Sequence, residues 1–219
     1  MKNESSSKDH DASLKSHLVF RKMLEIEYDN LERYIGESLM LLKANEFDRG
    51  NKYQELKSNL IGTGEDTPYQ FSQVTPYLLK HALFISAYSF LEYSLKKFCE
   101  IAATQMNQYK SRVSNLEKLY QFYFFLTNEV QLDKQNTGED WEKLNIFKDI
   151  RNSIVHYNSS IGKNISNQAY DFIKKDARIQ LEESKEFQIK DDTLILELTE
   201  VSKRFLFTLM DEYHQKYFL

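Results

Sequence analysis

Phe147-Lys-Asp-Ile-Arg-Asn-Ser-Ile-Val-His-Tyr-Asn158 repeats its apolar residues at the spacing of an α-helix. At about 100° per residue, Leu144, Phe147, Ile150, Ile154 and Tyr157 fall on one stripe, which predicts a helix over 141–158 packed through that stripe on a core. Asn145, Asp149, Asn152 and His156 fall together on the opposite face, and Arg151 lies on the flank between the two.

The same helical spacing governs most of the chain. Only two prolines and six glycines interrupt 219 residues, among abundant Leu, Lys, Glu and Gln, so the composition predicts an all-α bundle. Apolar residues make up 41% of the chain and aromatics 14%, enough for a real core. Residues 1–12 are Ser-, Lys- and Asp-rich and read as a disordered tail. The segment 13–75 opens with a long helix from Leu14 to Phe47, whose stripe is Phe20, Leu24, Tyr28, Leu31, Ile35, Leu39 and Leu42. A stripe of this length serves as a bundle seam, a coiled coil or a dimer arm. Asp48-Arg-Gly50 is expected to end it, and a shorter helix and a loop with Gly62, Gly64 and Pro68 should follow. Gly62-Thr-Gly64 lacks the Lys-Ser/Thr of a phosphate loop.

Residues 76–219 read as the helical core. The helix beginning near Pro76 is the most apolar and should be central. Glu92 is its anomaly, with Ile85, Tyr88, Leu95 and Cys99 as helical neighbours. A buried carboxylate needs a partner. Arg151 is the candidate, and a side chain that reaches the surface is the alternative. An aromatic helix is expected over 112–130 and a short helix over 166–177. Phe187 and Ile189 alternate, as do Leu194, Leu196 and Leu198 across Asp191-Asp192, so a small β-hairpin is expected over 186–198, before a last helix from Thr199.

Several function classes drop out. The formal charge of −4 gives no overall electrostatic case for tight nucleic-acid binding, although a dimer can focus a local basic cleft. Cys99 is the only cysteine, so no intramolecular disulfide forms, and on a packed helix it reads as a small core residue. His10 and His17 are seven apart with no cysteine nearby and do not read as a metal site. The first dozen residues hold no apolar signal segment, and Ala82–Leu91 is too short to span a bilayer. The expectation is a cytoplasmic protein without metal, cofactor or membrane contact.

Arginine is a permanent cation, asparagine a neutral hydrogen-bonding group, and histidine the side-chain type that exchanges protons near neutral pH. Together they are what is needed to hold a phosphodiester and move protons around it without a metal. The plain alternative for His156 is a surface histidine. Arg151-Asn152-Ser-Ile-Val-His156 resembles the R-N-x-x-x-H signature of HEPN domains, and the upstream helix His81–Cys99 is similar to the core helix preceding that signature. The resemblance covers roughly residues 76–218. It implies a HEPN-like helical bundle with a long N-terminal helix added, and a metal-independent endoribonuclease of the toxin or anti-phage defence kind. In that chemistry the ribose 2′-hydroxyl attacks phosphorus. His156 acts as general base or acid, Arg151 stabilises the transition state, and Asn152 orients His156 or a phosphate oxygen. Glu92, Asn145, Asp149 and Asn158 would support them.

Such sites are built from two facing motif helices, so the resemblance also implies a homodimer, an RNA substrate, and a neutralising antitoxin or noncoding-RNA partner. Some relatives carry a modifiable tyrosine two places after the histidine. Here that place is Asn158, and the adjacent Tyr157 belongs to the apolar stripe and reads as core. The competing readings are a non-catalytic HEPN-like module binding a protein, nucleotide or noncoding RNA, and an interaction protein using its long N-terminal helix.

Overall fold

The computed structural model describes residues 2–59, 75–106, 113–162 and 165–219. The chain is an all-α bundle with one two-stranded hairpin before its C-terminal helix. Six helices are described: α1 (Lys2–Asn59), α2 (Thr75–Gln105), α3 (Leu119–Phe124), α4 (Gly138–Tyr157), α5 (Asn167–Lys175) and α6 (Thr193–Phe218). Strands β1 (Ile179–Leu181) and β2 (Phe187–Ile189) lie between α5 and α6. The chain forms two compact units, residues 1–29, 88–144 and 199–219 in the first and 30–87 and 145–198 in the second.

In the first unit, α1 contributes Leu24 and Tyr28, both fully buried as their spacing predicts. Tyr28 meets Phe90 edge-on with ring centroids 4.9 Å apart. Trp141 stacks on Tyr123 at 4.2 Å and lies against Phe205 at 5.9 Å. Cys99 is buried, and its thiol donates to the Phe122 carbonyl at 3.6 Å. Asp140, in the first turn of α4, is buried and held by Arg204, whose Nε donates to Oδ2 at 2.9 Å. His17 is buried between Tyr213, His214 and Phe218 at 5.4–5.6 Å, and neither ring nitrogen has a hydrogen-bond partner among the described residues. Burial, with His214 and Arg21 adding to it, holds the His17 pKa down at about 4.

In the second unit, Ile35, Leu39 and Leu42 of α1 are buried, as are Leu83 and Phe84 of α2 and Phe147 and Ile150 of α4. Phe147 is met edge-on by Phe84 at 5.8 Å and Phe172 at 6.1 Å. The strands pair antiparallel in the register Ile179↔Ile189 and Leu181↔Phe187. Asp192 forms ion pairs with Lys43 at 2.8 Å and Lys80 at 3.2 Å. Arg178 clamps Asp176 and Glu197.

The structure departs from the sequence expectations in several places. Helix α1 includes residues 2–12 rather than leaving them as a tail, and it carries through Asp48-Arg-Gly50 to Asn59. Once a helix is nucleated, each further residue adds one backbone bond, so a single glycine costing about 1 kcal/mol need not stop it. The loop expected around Gly62, Gly64 and Pro68 lies outside the described residues. The aromatic helix begins at Leu119 and closes through a wider π-helical turn over Phe125–Glu129.

The hairpin is shifted. Phe187–Ile189 is a strand, but it pairs backward with Ile179–Leu181, and residues 193–198 open α6. Asp191 accepts from the Thr193 N–H at 2.8 Å and so starts a helix instead of turning a hairpin. Burial of Leu194, Ile195, Leu198 and Val201 follows helical spacing, while Leu196, which alternation would bury, is 42% exposed.

Candidate functional site

Helix α4 presents the signature residues as its spacing predicts, up to its last turn. Leu144, Phe147, Ile150 and Ser153 are buried, and Ile154 is half-buried. Val155, His156 and Tyr157 then emerge into solvent, so Tyr157, expected as core, is 45% exposed. The helix runs past the end of the core that its stripe covers, and its last turn is only partly packed.

Asn158 and Ser159 end the helix, both in left-handed conformation with φ of 49° and 63°. The Ser159 N–H reaches back to the Ser153 carbonyl at 2.9 Å. The following backbone docks on the hairpin: Ile161 N–H donates to Lys185 at 2.8 Å, and Phe187 N–H donates to Ser159 at 2.9 Å. The hairpin that the sequence misplaced is thus what turns the chain back beside α4.

The returning chain borders an open cavity of about 140 Å³ on the polar face of α4, lined by Asp149, Asn152, Ser153, His156, Tyr157, Gly162 and Ile165. Asn152 and His156 share one wall. Asp149 stands one turn before Asn152 on the same face: its Oδ2 accepts from the Ser166 N–H at 3.2 Å, at the start of α5, and Lys148 lies 3.4 Å from its Oδ1. Gly162 lies against the Tyr157 ring, where an added Cβ would stand 3.6 Å from it.

Arg151 is half-buried on the flank and does not line the cavity; its Nη1 donates to Asn152 Oδ1 at 3.1 Å. A guanidinium has only donors, so the amide oxygen of Asn152 must face it, which leaves the NH₂ of Asn152 as a donor. The Nε of Arg151 is buried without a hydrogen-bond partner among the described residues. Arg151 and Asn152 therefore form a cationic, donor-rich pair one helical turn before His156. That arrangement can hold an anion beside a group able to take or give a proton.

The supporting residues divide. Asp149 lines the cavity, whereas Asn145 and Asn158 do not. Asn145 is half-buried one turn before Asp149, and Asn158 marks the end of the helix. Glu92 is half-buried in the first unit and Arg151 belongs to the second, so their pairing stays an expectation.

His81 and Ser159 were not singled out as a pair by sequence reasoning. Both are buried, with His81 Nδ1 3.1 Å from Ser159 Oγ. Their separation of 78 residues carries no local signal.

Among the described residues, no group of three or more His, Cys, Asp or Glu is placed to hold a metal ion. No helix among them is long and apolar enough to cross a membrane. Comparison with known proteins finds no family model, curated protein or solved structure that matches this chain.

Proposed function

We propose that this protein is a metal-independent endoribonuclease of HEPN type, acting in the cytoplasm as a toxin or anti-phage defence effector. The observation that carries the reading is the shared wall of Asn152 and His156 in one small open cavity, with Arg151 bonded to Asn152. His156 takes the proton of a ribose 2′-hydroxyl as the O2′–P bond forms. The P–O5′ bond breaks, and a second acid protonates the leaving 5′-oxygen. Products are a 2′,3′-cyclic phosphate and a 5′-hydroxyl. Arg151, with the NH₂ of Asn152, stabilises charge on the phosphoryl oxygens, where preorganised donors have their largest effect. General acid–base work of this kind contributes about 10²–10⁴-fold.

One motif helix offers one histidine, and the cavity, at about 140 Å³, is well below the roughly 300–1,000 Å³ of ordinary small-molecule sites. Both facts support half a site, completed by the same face of a second copy. A homodimer then brings two Arg151 cations and two His156 rings to one phosphodiester, a local positive field on a body of net charge −4. No cofactor or metal enters this scheme. An antitoxin or noncoding RNA would restrain the activity in the cell.

A second reading is favoured by one residue. Asp149 puts a carboxylate on the rim of the same cavity, where it opposes a bound phosphate. That reading is a non-catalytic HEPN-like module binding a protein, nucleotide or noncoding RNA, and of these a protein partner tolerates the charge best. End-group analysis separates the two. RNA incubated with the protein in EDTA should acquire cyclic-phosphate and 5′-hydroxyl ends under the nuclease reading, and stay intact under the other.

A further inference from the structure

We infer that His81 is a positioning residue for His156, acting through Ser159 and the turn that ends α4. What this positioning serves rests on the nuclease reading; the positioning itself does not.

The last turn of α4 has left the core, with Val155, His156 and Tyr157 exposed, so core packing alone does not fix it. It is followed by two consecutive non-glycine residues in left-handed conformation, Asn158 and Ser159, a geometry that L-residues adopt only at a cost. Something must hold that turn. Every polar group of Ser159 is engaged: its N–H by the Ser153 carbonyl at 2.9 Å, its carbonyl by the Phe187 N–H at 2.9 Å, and its hydroxyl by His81 at 3.1 Å.

The other nitrogen of His81 is occupied too. The Ile189 backbone N–H, on β2, points at Nε2 at 3.4 Å. A backbone N–H can only donate, so Nε2 carries the lone pair, Nδ1 carries the proton, and Nδ1–H donates to Ser159 Oγ. The ring sits edge-on to Tyr77 at 5.0 Å and beside Phe187 at 6.0 Å, with 3% of the residue exposed. Burial agrees with this neutral tautomer, since it lowers the pKa of His81 to about 4. One buried imidazole thus ties together α2, the turn after α4 and β2. An apolar side chain could fill the same space but would leave the Ser159 hydroxyl and the Ile189 N–H without this partner.

The test is residue-resolved amide hydrogen exchange with NMR titration of the His156 ring, in wild type, His81→Phe and Ser159→Ala. Exchange at Val155, His156 and Tyr157 should accelerate by about tenfold more than at Leu206 and Leu209 of α6, because local opening is separable from global unfolding. The His156 ring resonance should shift in both variants, and the double variant should add little to either single one. A merely structural histidine would instead speed exchange uniformly and leave the His156 resonance in place, which overturns the inference. If His81→Phe does not fold, Ser159→Ala decides alone, since it removes the same bond and keeps the imidazole. Neither readout needs catalysis. Local loosening in a protein that never cuts RNA keeps this inference and removes the nuclease reading. RNA cleavage alongside unchanged local exchange does the reverse.

Discussion

Arg151 donates to the amide oxygen of Asn152 at 3.1 Å, so two residues adjacent in sequence act as one polar unit on α4. Both are half-buried, and the amide is turned so that its NH₂ is left to donate. Removing either side chain should therefore disturb the other. In a double-mutant cycle of Arg151→Ala and Asn152→Ala followed by urea denaturation, the coupling should be about 0.5–1.5 kcal/mol, the ordinary worth of such a bond. Additive losses would mean that the pair does not exist in solution.

The boundary where α4 leaves the core has its own test. Phe147 is fully buried between Phe84 and Phe172, and Phe147→Ala should cost about 3–5 kcal/mol through lost burial and a cavity. Tyr157 continues the same stripe on paper but is exposed, so Tyr157→Ala should cost less than about 1 kcal/mol. Thermal or urea denaturation of the two variants measures the contrast. Equal losses would put Tyr157 back in the core.

Acid should destabilise the fold before most carboxylates titrate. His17 and His81 are both held near 4 by burial, against an ordinary value of 6.5 when the chain unfolds. Between those values the unfolded chain binds protons that the folded chain refuses. Stability from these two groups is therefore complete above about pH 6.5 and falls as pH drops toward 4. The steepest loss is about 1.4 kcal/mol per histidine per pH unit. Urea midpoints measured from pH 7.5 to 4.5 should fall through this window, and His17→Phe should reduce the slope. A midpoint that holds steady or rises on acidification would contradict the burial of both rings.

Much of this was legible in the residues themselves. The stripe Leu24, Tyr28, Ile35, Leu39 and Leu42 and the stripe Leu144, Phe147 and Ile150 are buried as their spacing demands, because burial on one face is what creates such a pattern. The clustering of Asn152 and His156 followed from the same geometry. Two things were hidden. Leu194, Leu196 and Leu198 satisfy strand alternation and partly satisfy a helix, and the cap at Asp191 decided between them. The strand Ile179–Leu181 is three residues long, too short for periodicity to announce it. The second hidden thing is the closure of the site. The turn at Asn158 and Ser159 depends on His81 and on β2, contacts made across long stretches of sequence, and only tertiary structure displays them.

The proposed composite site needs a second copy of the same face. If the polar faces of two α4 helices meet, light scattering at micromolar concentration should report a dimer or larger assembly. Asp149→Arg, which replaces a carboxylate balancing Arg151 by a further cation on each side of the two-fold axis, should weaken that assembly. A strictly monomeric protein that cleaves RNA would contradict the composite site.

The most direct measurement is the rate of RNA cleavage in excess EDTA by wild-type protein beside His156→Ala and Arg151→Ala, each first shown to melt within a few degrees of wild type. Wild type should cut, leaving cyclic-phosphate ends, and each variant should lose at least about 10²-fold in rate. Cleavage that requires magnesium, or that persists unchanged in both variants, would contradict it.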